Sequence, residues 1–192
     1  MLTLGVTGGL GSGKSTVCHF FEQLGAEIFD ADKEAKKILF SDDRVREKLV
    51  RQFGSVILKN QEIDKAALSK IVFHNHENQQ FLNKTLHPLV TESFLRKKNA
   101  VTKDLYIMDA ALLFEAKLQQ HFDKTLLIYA DRDIRMKRAL QRGNLSKHQI
   151  IDRMNLQMSE ENKKKLADIV ITNNGSIREL KNKITVLYKN LV

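Results

Sequence analysis

The sequence predicts an α/β fold: three layers built on a parallel sheet, with an inserted helical domain and a short helical lid. Three observations predict it. Short apolar segments alternate with amphipathic stretches, the pattern of parallel strands joined by crossover helices. A glycine-rich run, Gly8 to Ser15, sits between a strand pattern and a helix pattern. The stretch between the second and third strands is too long for a simple crossover, so it is read as an inserted domain.

From the N-terminus, Leu2–Val6 reads as a buried first strand. Lys14–Leu24 reads as a helix, with Val17, Phe20, Phe21 and Leu24 on one face, and Gly25 ends it. Glu27–Phe29 is a short second strand that runs into Asp30-Ala31-Asp32. A largely helical stretch spans about Lys33–Ala100, with breaks at Phe53-Gly54 and Asn60-Gln61. Strand character returns at Asp104–Asp109 and Lys124–Ala130. Arg132–Leu140 is helical, Gly143-Asn144 breaks it, and Leu145–Lys165 is polar, basic and helical. Asp168–Thr172 is a last strand. Ser176–Leu191 is a closing helix with Ile177, Leu180, Ile184, Leu187, Tyr188 and Leu191 on its core face. There is no internal repeat, and the one proline is Pro88.

The 192 residues suffice for one compact domain with a sizeable core. A hydrophobic share of 42% with 29% charged residues argues against disorder. No apolar run reaches bilayer-spanning length, and the N-terminus lacks the basic start of a signal peptide. The lone Cys18 has no internal disulfide partner. A cytoplasmic protein without a membrane partner is expected. The net charge of +9 suits a polyanionic ligand. Nucleic acid is the weaker choice, because tryptophan is absent, tyrosines number three, and no nucleic-acid-binding signature accompanies the charge. A solvated basic surface is the plain alternative.

Gly8-Gly9-Leu10-Gly11-Ser12-Gly13-Lys14-Ser15 satisfies G-x-x-x-x-G-K-[ST] at each required position, in the strand-to-helix context that the motif needs. The glycines let backbone N–H groups turn inward on phosphate, and the helix after them presents its positive end to the same anion. Lys14 supplies a point charge for the β- and γ-phosphates, and Ser15 a hydroxyl for Mg²⁺. This P-loop binds a nucleoside triphosphate through Gly9, Leu10, Gly11, Ser12, Gly13, Lys14, Ser15 and Thr16. The loop alone does not define the reaction, since kinases, GTPases, motors and regulators share it.

The chain is too short for a motor with coupled domains and lacks an N-K-x-D guanine motif. The missing motif weighs against a GTPase, and phosphoryl transfer to a hydroxyl needs a carboxylate to orient the nucleophile and take its proton. Asp32 is the candidate, with Asp30 beside it at the carboxyl end of the second strand. A helix cap is an equal reading of Asp32. Asp109 ends an apolar strand where P-loop proteins keep an acidic residue near Mg²⁺. Arg138 and Arg142 lie four apart on one helix face and, with Arg135 and Arg153, suit a cationic lid over the transferring phosphate. A solvated basic helix is the alternative.

These residues, in this order, resemble the dephospho-coenzyme A kinase family over nearly the whole chain. The resemblance rests on Gly5–Thr16, Leu24-Gly25, Asp30-Ala31-Asp32, Ile63-Asp64-Lys65 with Leu68 and Ile71-Val72-Phe73, and Leu86-His87-Pro88. It continues with Leu112-Leu113-Phe114-Glu115, Arg138 with Arg142, Arg153 with Gln157, Lys163, Ala167-Asp168 and Asn173-Asn174-Gly175. It implies transfer of the γ-phosphate of ATP to the ribose 3′-hydroxyl of dephospho-CoA, the last step of coenzyme A synthesis. It also implies a nucleotide-binding core (1–32, 101–136 and 167–192), a helical CoA domain (33–100) and a lid (137–166). Asp32 then matches the general base, with Lys14, Arg138 and Arg142 serving the transfer. Asn173 and Gly175 fall where adenine is expected. Asp30, Asp32, Lys65, His87, Leu112, Glu115 and Arg153 match the acceptor side, and Ser15 and Asp109 the metal. The expected partners are ATP and dephospho-CoA, without nucleic acid, on a monomer or weak homo-oligomer. Two positions depart from many members: Lys65 stands for arginine, which loses the bidentate fork, and Ala111 for proline, which loosens the turn before Leu112. A nucleoside monophosphate kinase and a non-enzymatic RNA-binding module are the rival readings.

Overall fold

The structure, a computed structural model, describes residues 1–72 and 75–192. Phe73, one of the positions that carries the resemblance, lies outside the described residues. The described chain forms two compact units, 1–30 with 98–192, and 31–97.

The first unit is built on the strands β1 (Leu2–Thr7), β2 (Glu27–Asp30), β5 (Leu105–Asp109), β6 (Lys124–Tyr129) and β7 (Ile169–Thr172). They form a five-stranded sheet in the order β2-β5-β1-β6-β7, each strand parallel to its neighbour and β1 at the centre. Parallel strands covered on both faces read as continuous apolar runs, as β1, β5 and β6 do. Alternation along β1 sends Leu4 and Val6 to one face, where α1 (Lys14–Gln23) and α9 (Ile177–Leu191) close the core with Val17, Phe21, Leu180 and Ile184. Gly5 faces the other way. A Cβ there would lie 2.5 Å from Leu113 and 2.7 Å from Phe122, so only glycine fits beneath the segment after β5. Two aspartates pin strand ends. Asp123 accepts from the N–H and hydroxyl of Thr3 at 2.7 and 2.6 Å, and Asp168 accepts from those of Thr125 at 2.8 and 2.7 Å. These bonds hold both carboxyls below the usual aspartate range.

The expected closing helix forms, with one correction. Ile177 is 63% exposed and contributes nothing to the core. It sits at the first position of α9, one turn ahead of the buried Leu180.

The polar run Leu145–Lys165 is helical as expected and holds two helices. After α6 (Arg132–Gln141), α7 (Lys147–Leu156) starts on a capping box between Ser146 and Gln149, and α8 (Glu160–Leu166) starts on Ser159. A small core of Ala139, Ile150 and Met154 joins α6 to α7, with Leu10, Met136 and Leu145 packed on it.

The second unit holds α2 (Ala31–Ser41), α3 (Asp43–Phe53), α4 (Lys65–Val72) and α5 (His76–Lys98). Its core is Val45, Leu49, Ile57, Leu68, Val72 and Leu86. Asp42 caps α3 by accepting from the N–H groups of Arg44 and Val45, and Asp64 accepts from the N–H of Ala67 in α4. The break expected at Asn60-Gln61 is the turn of a small hairpin, β3 (Leu58–Lys59) with β4 (Glu62–Ile63), and both turn residues have positive φ. Glu34 of α2 accepts from Ser93 at 2.6 Å and pairs with Lys97 at 2.8 Å, tying the first helix to the last. No described helix is long and apolar enough to cross a membrane.

Candidate active site

The phosphate loop leaves β1 at Gly8 and enters α1 at Lys14. Gly11 and Gly13 have φ of +83° and +95°, which side-chain-bearing residues rarely adopt. A Cβ on Gly11 would also strike the main chain of Arg135, and one on Gly13 the carboxamide of Asn173. Among the described residues no side chain caps α1: its N-cap is Gly13, so the glycine loop leads straight into the positive end of the helix. Lys14 is ion-paired with Asp109, the buried carboxylate that ends β5. Ser15 is exposed and Thr16 half-buried in the first turn of α1.

Asn173, just after β7, is 6% exposed. Its side-chain amide donates to the Ser12 carbonyl at 2.7 Å, and its own carbonyl accepts from Arg138 at 2.9 Å. One residue thus braces the loop and orients an arginine of α6. Beside it lies a cavity of about 370 Å³ lined by Gly13, Thr16, Arg138, Arg142, Asn173 and Gly175, with Ile177 on its wall. The structure therefore gathers Gly13, Thr16, Arg138, Arg142, Asn173 and Gly175 of the expected ATP-side residues around one concave space.

The remaining candidates occupy other elements. Asp30 ends β2 in register with Asp109 and is exposed. Asp32 is exposed in the first turn of α2. Lys65 is exposed at the start of α4. His87 is half-buried on α5, where its carbonyl accepts from the hydroxyl of Thr91. Leu112 is half-buried after β5. Arg153 is exposed on α7 and Arg142 exposed just past α6. Glu115 accepts from the N–H of Met158 at 2.8 Å and pairs with Lys163 at 3.1 Å.

Sequence reasoning missed a group of buried charges. Arg135, expected among the lid cations, is 8% exposed: it donates to the Ala130 carbonyl at 3.1 Å and lies 3.9 Å from Glu160. Glu160 accepts from the N–H of Gly9, and burial pushes its carboxyl up against the pull of Arg135 and Lys163. Lys163 is fully buried beside Glu115. The i, i+3 spacing of Glu160 and Lys163 was the available signal that both share a face. On the phosphate loop itself, Leu10 donates to Gln157 at 3.0 Å.

A parallel sheet, a G-x-x-x-x-G-K-S loop opening onto a helix, and arginines sharing a cavity with that loop define a P-loop kinase. The family model for dephospho-CoA kinase matches residues 2–179. Dephospho-CoA kinase from Geobacillus kaustophilus is 36% identical over 192 residues, covering 98% of this chain and 96% of that protein. The one from Carboxydothermus hydrogenoformans is 39% identical over 191 residues, covering 97% and 93%. The solved dephospho-CoA kinase from Campylobacter jejuni superposes with a TM-score of 0.70 at 28% identity, covering 98% and 96%. The chain belongs to the dephospho-CoA kinase family. It is a transferase whose reaction is the ATP-dependent phosphorylation of dephospho-CoA to coenzyme A, the final step of that synthesis.

Proposed function

We propose that the cavity beside Gly13 takes the adenine end of ATP and that the loop Gly8–Ser15 holds its phosphates, with Lys14 at the β- and γ-groups. The observation that carries this reading is the common cavity of Gly13, Thr16, Arg138, Arg142, Asn173 and Gly175. Asp32 accepts the proton of the ribose 3′-hydroxyl of dephospho-CoA. The freed oxygen attacks the γ-phosphorus, the bond to the β,γ-bridging oxygen breaks, and ADP leaves. Arg138 and Arg142 hold the charge that spreads over the equatorial oxygens, where a planar guanidinium offers paired donors. Asp30, Lys65, His87, Leu112, Glu115 and Arg153 serve the acceptor. The segment 33–100 is the CoA-binding domain and 137–166 the lid.

Mg²⁺ fits the donors present. Ser15 offers an exposed hydroxyl and Asp109 a carboxylate, hard oxygens that leave most of the coordination sphere to phosphate and water. Bound there, the ion neutralises charge on the transferring phosphates. The same reading keeps the enzyme cytoplasmic, as a monomer or weak homo-oligomer, with ATP and dephospho-CoA as its partners and no nucleic acid.

A coupled ADP-release assay tests the acceptor. Dephospho-CoA should drive ADP formation, and a panel of nucleosides and nucleoside monophosphates should not. Turnover with a nucleoside monophosphate and none with dephospho-CoA would overturn the reading. So would salt-sensitive RNA binding without acceptor-dependent ADP release.

A further inference from the structure

We infer that Gln157 and Glu160 are positioning residues that hold the outer limb of the phosphate loop. The inference rests on the reading of Gly8–Ser15 as the ATP phosphate site.

The phosphate-facing part of the loop, from Gly11 onward, owes its shape to glycine conformations. The limb before it, Gly9-Leu10, is held from outside. The N–H of Leu10 donates to the Oε1 of Gln157, and the N–H of the preceding Gly9 donates to Glu160. The Leu10 side chain packs on the core of Ala139, Ile150 and Met154. Arg135 of α6 donates to Ala130 and lies 3.9 Å from Glu160, so the carboxylate that meets Gly9 has a buried cation beside it. Lys163, on the same face of α8, pairs with Glu115, which also accepts from Met158. Gln157 and Met158 lie in the break between α7 and α8. That break is what lets two consecutive loop amides meet two acceptors three residues apart.

These contacts occupy the backbone donors of Gly9 and Leu10 with protein acceptors. Their function is to fix the direction of the limb, so that the amides beyond it are aimed before ATP arrives. Preorganised donors cost no rearrangement at the moment of transfer. The contacts also make the segment bearing α7 and α8 continuous with the loop, so a displacement of one is felt by the other.

Gln157→Leu keeps the bulk and removes the acceptor, whereas Gln157→Glu keeps an acceptor oxygen. Amide exchange by NMR reads the bond directly. The Leu10 N–H should exchange about five-fold faster in Gln157→Leu, the scale of one net hydrogen bond, and near the wild-type rate in Gln157→Glu. In the kinase assay the KM for ATP should rise about five-fold in Gln157→Leu with the KM for dephospho-CoA within about two-fold of wild type, and Gln157→Glu should restore most of the loss. Unchanged Leu10 exchange in Gln157→Leu would overturn the inference, as would equal impairment of the two variants. Lys14→Ala distinguishes a failure of the phosphate-site reading from a failure of the positioning role. If Lys14→Ala retains turnover, the loop reading itself fails. If it is inactive while Gln157→Leu is kinetically normal, only the positioning role fails.

Discussion

Replacing Asn173 by alanine tests how the loop is braced. The wild-type carboxamide donates to the Ser12 carbonyl at 2.7 Å from a site that is 6% exposed. Alanine leaves that carbonyl without its partner in a place water reaches poorly. Orphaning a buried acceptor costs about 1–3 kcal/mol. For a chain of this length, each kcal/mol moves Tm by roughly 2–4 °C, so the variant should melt about 2–12 °C lower. Arg138 bonds the main-chain carbonyl of residue 173, which alanine retains. The KM for ATP should therefore rise while kcat changes little. Asn173→Asp supplies no donor and sets a carboxylate against the Ser12 carbonyl, so it should be at least as destabilised. Differential scanning fluorimetry and initial rates with ATP varied measure both quantities. A Tm within about 1 °C of wild type together with an unchanged KM would refute the bracing role.

Asp32→Asn should lower kcat by about 10²-fold or more while ATP affinity is kept, the scale of losing a general base; near-normal turnover would leave Asp32 as an acidic residue that favours the first turn of α2. Burial pushes the Cys18 thiol up to about 12, so it stays protonated and should resist alkylation in native protein yet react fully in denaturant. Stoichiometric labelling of the native chain would contradict this. Asp123 and Asp168 have depressed folded values, so their contribution is present above the ordinary aspartate pKa of about 3.9 and fades as pH falls through the folded values. Urea midpoints between about pH 4 and pH 2 should fall less steeply for Asp123→Asn with Asp168→Asn than for wild type, and parallel curves would count against it.

Much of the first unit was readable because its signals are local. The glycine pattern, the apolar strands and the closing glycine of α1 each span a few residues. The hairpin at Leu58–Ile63 escaped because two-residue strands carry no period. The division of Leu145–Lys165 escaped because neither glycine nor proline marks the break; Ser146 with Gln149, and Ser159, were the caps that could have shown it. Ile177 kept the helical period of a core residue, yet its place at the first turn sets it beside the cavity. The charged side chains of Arg135, Glu160 and Lys163 were the least legible. A basic run reads as solvated until tertiary neighbours show which members turn inward.

The pairing of Lys14 with Asp109 has a consequence for ion discrimination. The loop carries an internal counter-ion. An anion that draws the ammonium onto itself leaves behind a carboxylate that is 8% exposed and no longer compensated. Chloride or lone phosphate offers nothing in return. On the proposed reading of the site, a polyphosphate that arrives with a divalent cation would exchange both partners at once, its oxygens meeting Lys14 and its metal meeting Asp109. On that reading the pair would act as an ion exchanger that sorts by valence and would disfavour simple anions as competitors.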